Sequence, residues 1–269
     1  MKKILFAVFV SAIFVSWLST DAQEIKRTSF GIGVEYRTKT MDLEPTQFSP
    51  PLESLDKNYQ AFKIEQEYNM PMALLHLGFL NNIDLAFIFG LMDYDLTQKS
   101  DIEGFGHDFT ADTTNAFGFS GQIILPATEK IYVGFFFEHF TSEIDDVEFA
   151  DGPPSLNFTI ENVPFPINID DVQVERLKYH ETTLTPVVAL KWGKFMPYAG
   201  PRYTSITANT NVTYIIGDRD LKRNIKYGPV ENWSFVIGLK AWITDNLSLN
   251  AEVETMENES YKVGVTYTF

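Results

Sequence analysis

The chain contains no cysteine. Disulfides and thiolate metal sites are excluded, so a protein of this length must be held by backbone pairing and packing alone. Basic residues are scarce: 21 Lys and Arg face 36 Asp and Glu, a net charge of −15. Nucleic acid is excluded as a partner, because its phosphates would be repelled by so acidic a surface. Histidine is rare too. His76, His107, His139 and His180 stand too far apart for a metal site built on local spacing. There is no phosphate loop, zinc-type cluster or nucleophile elbow, so no cofactor is expected. Beyond the N-terminus no apolar run approaches eighteen residues, which leaves no room for a transmembrane helix there.

The first 22 residues read as a cleavable export signal. Lys2 and Lys3 form a basic start, Ile4 to Leu18 an apolar stretch, and Thr20-Asp21-Ala22 a small-residue cleavage site. A membrane anchor would need a longer run and a basic cluster after it. Removing the signal takes away two Lys and one Asp and leaves a net charge of −16. The remaining residues, 23–269, are expected to form one domain.

Aromatic residues, by contrast, are abundant, at 14 % with Phe dominant. They fall on alternate positions. Tyr261, Val263, Val265, Tyr267 and Phe269 share one face, with Lys262, Gly264, Thr266 and Thr268 on the other. The same alternation runs through Leu247–Val253, Trp233–Ile243, Ile131–Phe137, Phe117–Leu125, Ile83–Leu91 and Phe30–Tyr36. A soluble β-sandwich alternates as well. Bulky Phe on one face of many strands, with turns in two length classes, favours a membrane barrel with lipid-facing aromatics and a polar lumen. Short turns are expected at Leu80-Asn81-Asn82, 127–130, Gly193-Lys194 and Asp245-Asn246, and long connections near 39–57, 97–112, 142–175 and 218–231. The sequence thus predicts an all-β, up-and-down antiparallel barrel of about ten strands, with both termini on the periplasmic side. Between Tyr59 and Phe79 the apolar parity flips, and a bulge is expected at Met70-Pro71-Met72.

The terminal Tyr267-Thr268-Phe269, preceded by Val265, Val263 and Tyr261, resembles the C-terminal signature of outer-membrane barrel proteins. That resemblance implies reading by the barrel-assembly machinery and residence among outer-membrane lipid and lipopolysaccharide of a Gram-negative-type bacterium, with a monomer expected. Pro197-Tyr198-Ala199-Gly200-Pro201-Arg202-Tyr203 is similar to a segment of small porin-like, OmpA-like barrels, here without an OmpA-type periplasmic domain.

By parity Glu35, Arg37, Glu65, Glu67, His76, Glu138, Lys191, Arg202, Lys240, Glu252, Glu254 and Lys262 point into the lumen, where charges must pair. A narrow lumen so lined is expected to conduct weakly, with a cation preference. The leading expectation is therefore a non-enzymatic structural barrel or narrow small-solute or ion channel. A surface binding module is the alternative, carried by the acidic loop 142–175, whose nine carboxylates could also attract divalent cations. A rim protease is third. Asp93 and Asp95 resemble the Asp-x-Asp pair of omptin proteases, but Asp218-Arg219-Asp220 lacks the His of the family's second pair, and Asp93 and Asp95 share the parity of lipid-facing Leu91. An ester-hydrolysing set of His139, Ser142 and Glu143 is weaker still. Mass spectrometry of the membrane-extracted protein is expected to find its N-terminus at Gln23. An intact Met1 would contradict the signal assignment.

Overall fold

Alternation over ten or more residues leaves a backbone within lipid one way to satisfy its hydrogen bonds, which is sideways pairing that closes on itself. The computed structural model describes residues 29–49, 63–79, 82–99, 107–149, 156–160, 163–167, 171–216, 219–256 and 258–269. The export signal expected at 1–22 lies outside them.

Ten antiparallel strands close a ring. In chain order they are β1 (Ser29–Ser49), β2 (Lys63–Phe79), β3 (Ile83–Lys99), β4 (His107–Pro126), β5 (Ile131–Phe149), β8 (Asp171–Leu190), β9 (Phe195–Ile216), β11 (Trp233–Trp242), β12 (Leu247–Thr255) and β13 (Glu259–Thr268). β13 returns to β1 through pairs from Gly31↔Thr268 to Thr40↔Glu259, and Phe269 N donates to Phe30 O at 2.7 Å. Both described termini therefore sit at one end of the barrel, here the proximal end. β6 (Leu156–Ile160) and β7 (Val163–Ile167) form a separate hairpin.

Proximal turns are short because local chemistry closes them. Thr128 Oγ1 accepts from Ile131 N, and Thr244 Oγ1 accepts from Leu247 N, both at 3.0 Å, so the 127–131 and 243–247 turns share one design. At the third, Gly193 takes φ 60° between the mutually bonded Trp192 and Phe195, a conformation that glycine adopts without steric cost.

The strands have two lengths. β11 to β13 hold nine or ten residues, whereas the other seven ring strands hold 17 to 22. A strand of 20 residues measures roughly 65 Å, about twice what a tilted crossing of the hydrocarbon core requires. β10 (Arg219–Pro229) completes the distal part. It pairs with Ala208–Ile216 of β9 on one side and Leu43–Ser49 of β1 on the other. The ring thus has ten strands proximally and eight distally, where β10 stands above the three short strands. The segment expected as a long connection near 218–231 is barrel wall. So are parts of the other three expected connections, at 39–49, 97–99, 107–112, 142–149 and 171–175.

Outward residues change character along one continuous line. Cross-strand partners trace it around the barrel: Tyr36↔Pro71, Asn69↔Asp93, Leu91↔Asn115, Phe117↔Thr141, His139↔Thr182, Leu184↔Tyr203, Tyr203↔Trp233, Phe235↔Thr255, Val253↔Tyr261 and Tyr261↔Thr38. Proximal to it the outer face is exposed and apolar, as at Phe30, Ile32, Phe87, Phe89, Ile237 and Val263. Distal to it stand Glu67, Asp93, Asp95, Glu143, Arg176 and Lys178. The apolar belt spans nine to eleven residues, from Ile83 to Leu91 on β3 and from Trp233 at the start of β11 to Ile243 just past its end. At a membrane tilt that is about 25 Å, the height of a lipid-facing band. The fold is that of a small outer-membrane β-barrel.

The interior reverses at the same level. Distally the inward side chains are apolar: Met41, Leu43, Ile64, Tyr68, Met70, Met92, Tyr94, Phe140, Ile144, Leu177 and Tyr179 form one buried cluster. The rings of Tyr68, Phe140 and Tyr179 lie 5.8 to 6.1 Å apart in all three pairings. This reversal, and not a bulge, explains the parity flip at Met70-Pro71-Met72. β2 keeps unbroken register with β1 from Ile64 to Gly78, with Met70 and Met72 inside and Pro71 outside. The ladder to β3 skips positions 70 and 71 without a shift, consistent with the donor that Pro71 lacks.

Replacing inward Phe140 with Ala is expected to cost about 3–5 kcal/mol, and replacing outward Glu67 with Ala within about 0.5 kcal/mol. Denaturant unfolding of the barrel in lipid vesicles measures both, and equal losses would contradict the reversal.

Candidate functional site

At the level of the belt, period-two alternation turns polar and charged side chains inward from almost every wall. Charges there need partners because water is sparse and lipid offers none. Arg37 of β1 forms a two-pronged pair with Glu138 of β5, with Nη2 2.6 Å from Oε2. Arg202 of β9 reaches β12, Nη2 lying 2.6 Å from Glu252 and Nη1 3.0 Å from Glu254, while its Nε donates to Thr185 Oγ1 at 2.9 Å. Lys262 of β13 sits among Glu35, Glu138 and Glu252 at 3.7, 3.7 and 3.9 Å. Ser234 Oγ donates to Glu254 at 2.5 Å and Tyr198 OH to Glu252 at 2.9 Å. Three cations and four carboxylates, from β1, β5, β9, β12 and β13, thus make one connected layer across the lumen.

Tyr198 lies against the wall only because residue 238 is glycine. A Cβ there would come within 2.1 Å of the Tyr198 ring. Sequence reasoning takes Gly238 for an ordinary lumen residue, yet its missing side chain seats the tyrosine that bonds Glu252.

Distal to this layer lies a second pair, which the sequence reading misses. Lys39 Nζ is 2.7 Å from Glu181 Oε1, with side chains only 2 % and 1 % exposed. Tyr179 and Tyr68 both donate to Glu181 Oε2, at 2.6 and 3.2 Å, and Gln66 Nε2 donates to Tyr179 OH at 3.0 Å. The signal was present, since Lys39 shares the parity of Arg37, but placing residues from 39 onward in a loop hides it.

Proximal to the charged layer the lumen opens into a cavity of about 750 Å³. Lys262, Glu35, Glu138, Arg202 and Glu252 form its roof, and Phe30, Phe79, Asn246 and Phe269 line its mouth. His76 Nδ1 lies 3.0 Å from Asp84 Oδ2, which also accepts from Gln122 Nε2 at 3.1 Å. Lys240 lines the cavity with its Nζ 5.5 Å from the Trp242 ring.

Glu35, Arg37, Glu138, Arg202, Lys240, Glu252, Glu254 and Lys262 thus face the lumen. Three expected lumen charges do not. Glu65 and Glu67 stand on the outer face of β2 beyond the belt, because the strand carries no bulge. Lys191 follows the last residue of β8 and is exposed in the proximal turn at the cavity mouth. Asp93 and Asp95 also face outward, with Thr113 Oγ1 donating to Asp93. His139 points out and bonds Thr182 at 2.9 Å, whereas Ser142 points in and donates to Asn115 O at 3.0 Å, so the wall divides this pair. Glu143 is an outer-face partner of Arg176 at 2.8 Å. For the rest of the acidic segment 142–175, the side chains of 145–175 lie outside the described residues. Tyr261, Val263, Val265, Tyr267 and Phe269 all lie exposed on the belt, the last two with ring centroids 5.1 Å apart.

No protein-family model matches this chain, and no curated protein matches it. Similar solved structures exist. The outer membrane protease OmpT of Escherichia coli is 10 % identical, with 93 % of this chain and 100 % of that chain covered and a TM-score of 0.47. The translocator domain of the autotransporter NalP from Neisseria meningitidis is 10 % identical, covering 100 % and 96 %, also with a TM-score of 0.47. The transport unit of the autotransporter AIDA-I from Escherichia coli is 10 % identical, covering 97 % of each, with a TM-score of 0.43.

Among the described residues, replacing Arg202 with Met leaves Glu254 with no cation within 4 Å and Glu252 with Lys262 alone, and is expected to cost about 3–5 kcal/mol. Adding Glu252→Gln and Glu254→Gln should recover most of that loss, read by the midpoint of denaturant unfolding in lipid vesicles. A triple variant as unstable as the single one would contradict a charge-pairing role.

Proposed function

We propose that this chain is a non-enzymatic structural barrel of the outer membrane whose lumen is closed at rest. One observation carries the reading. Above the charged layer, the distal lumen is filled by Tyr68, Met70, Met92, Tyr94, Phe140, Ile144 and Tyr179, each at most 1 % exposed. A hydrated ion would have to displace packed apolar side chains to pass. The outward placement of Asp93 and Asp95, and the wall between His139 and Ser142, support leaving catalysis out of the proposal.

In this reading the proximal end faces the periplasm and the distal eight-stranded section rises from the outer leaflet, where it displays the loops between the long strands. The exposed aromatic face of β13 serves recognition by the assembly machinery, and the belt contacts lipid and lipopolysaccharide as a monomer. A second reading, a narrow small-solute conduit, draws on the wide proximal cavity. It requires the distal cluster to move aside.

Planar-bilayer recordings of the purified barrel are expected to show no steady open-channel current, and a Tyr68→Ala/Phe140→Ala/Tyr179→Ala variant to show a measurable one. Sustained conductance from the unaltered protein would replace the closed-barrel reading with the conduit.

A further inference from the structure

The lining of the proximal cavity is divided by chemistry. We propose that the cavity is a binding site for a small amphipathic organic anion entering from the proximal mouth. The anionic head meets Lys240, and the apolar body lies along an aromatic wall.

A volume of about 750 Å³ suits a small organic molecule. One side of the cavity is built from Ile124, Tyr132, Phe136, Met196, Tyr198 and Trp242. These pack against buried Val187, Ala189 and Val236, and the Phe136 and Tyr198 rings meet edge-on at 5.1 Å. The opposite side is polar, with His76, Asp84 and Gln122 from β2, β3 and β4.

Lys240 stands apart from the other inward cations. Arg37, Lys39, Arg202 and Lys262 each lie within 4 Å of a glutamate. Among the described residues no carboxylate comes that close to Lys240, whose Nζ stands over the Trp242 ring. Asp84 lies five strands away around the ten-stranded ring, on the facing wall, where His76 and Gln122 hold it. Asp84 thus acts on Lys240 only across the cavity. An enclosed ammonium with no carboxylate in contact is costly, and an entering anion relieves that cost while the ring contact persists. The apolar body then covers aromatic surface that would otherwise face water in the cavity. The charged roof stops deeper entry. The site rests on the closed-lumen reading only for this blind end.

The test uses the full barrel in lipid nanodiscs with 4-fluorophenylacetate as probe, followed by fluorine NMR against empty nanodiscs. Saturable binding is expected, weakened about tenfold or more by Lys240→Met and retained in Lys240→Arg. Lys178→Met, on the outer face, should bind like the unaltered protein. Three results would each overturn the proposal: no saturable binding beyond empty nanodiscs, full affinity in Lys240→Met, or equal affinity for uncharged 4-fluorobenzyl alcohol. Steady currents in the bilayer recordings would remove the closed-lumen reading and leave this titration to stand or fall alone.

Discussion

A β-strand keeps its side chains on two fixed faces, and this one constraint organises the whole molecule. Seven ring strands run through lipid and then onward into water, their alternation interrupted only locally, where register shifts fall between Pro45 and Gln47, Met92 and Tyr94, and Val174 and Arg176. The face that meets lipid in one half meets water in the other. Only the residue chemistry can change, so it reverses in step on both faces. Outside, Leu91 gives way to Asp93 and Pro71 to Asn69; inside, the charges of the proximal half give way to Met70, Met92 and Tyr94.

The reversal also divides the interior by energetics. Within the belt, the outer face supplies no net hydrophobic drive between strands, since lipid is as apolar as leucine. Order there comes from the backbone ladder and from the Arg37, Arg202 and Lys262 network, whose members are expensive to strand singly. Beyond the belt the barrel behaves like a soluble protein turned around a core, held by burial of apolar area. Lys39 and Glu181 join the two regimes, with Tyr68 and Tyr179 supplying both hydrogen bonds and packing surface.

Much of the membrane section was legible because lipid enforces a simple pattern. The outward series Phe30–Tyr36, Ile83–Leu91 and Tyr261–Phe269 needed only the period of two, and the same parity placed Arg37, Glu138, Arg202, Glu252 and Lys262 inside. The distal section was hard to read for a physical reason. Asp42, Glu44, Glu65 and Glu67 look like loop or lumen residues when the outside is assumed to be lipid, but they are ordinary for a strand whose outer face is in water. β10 was missed on the same ground, since Arg219, Lys222, Arg223 and Lys226 disguise a wall strand as a charged loop. Which cation finds which carboxylate across the lumen depends on strand order and register, which one strand's own pattern does not contain.

The central claim is that lipid and water exchange places along the outer face at the Tyr36–Pro71–Asp93–Asn115 line. Because the chain has no cysteine, single cysteines can be placed along β3 at Phe87, Leu91, Asp93 and Asp95 and examined in reconstituted vesicles. The account predicts that positions 87 and 91 resist a water-soluble maleimide, and that a fluorophore attached there is quenched by brominated lipid. Positions 93 and 95 should label freely and escape that quenching. Free labelling at 87, or lipid quenching at 95 as strong as at 87, would contradict it.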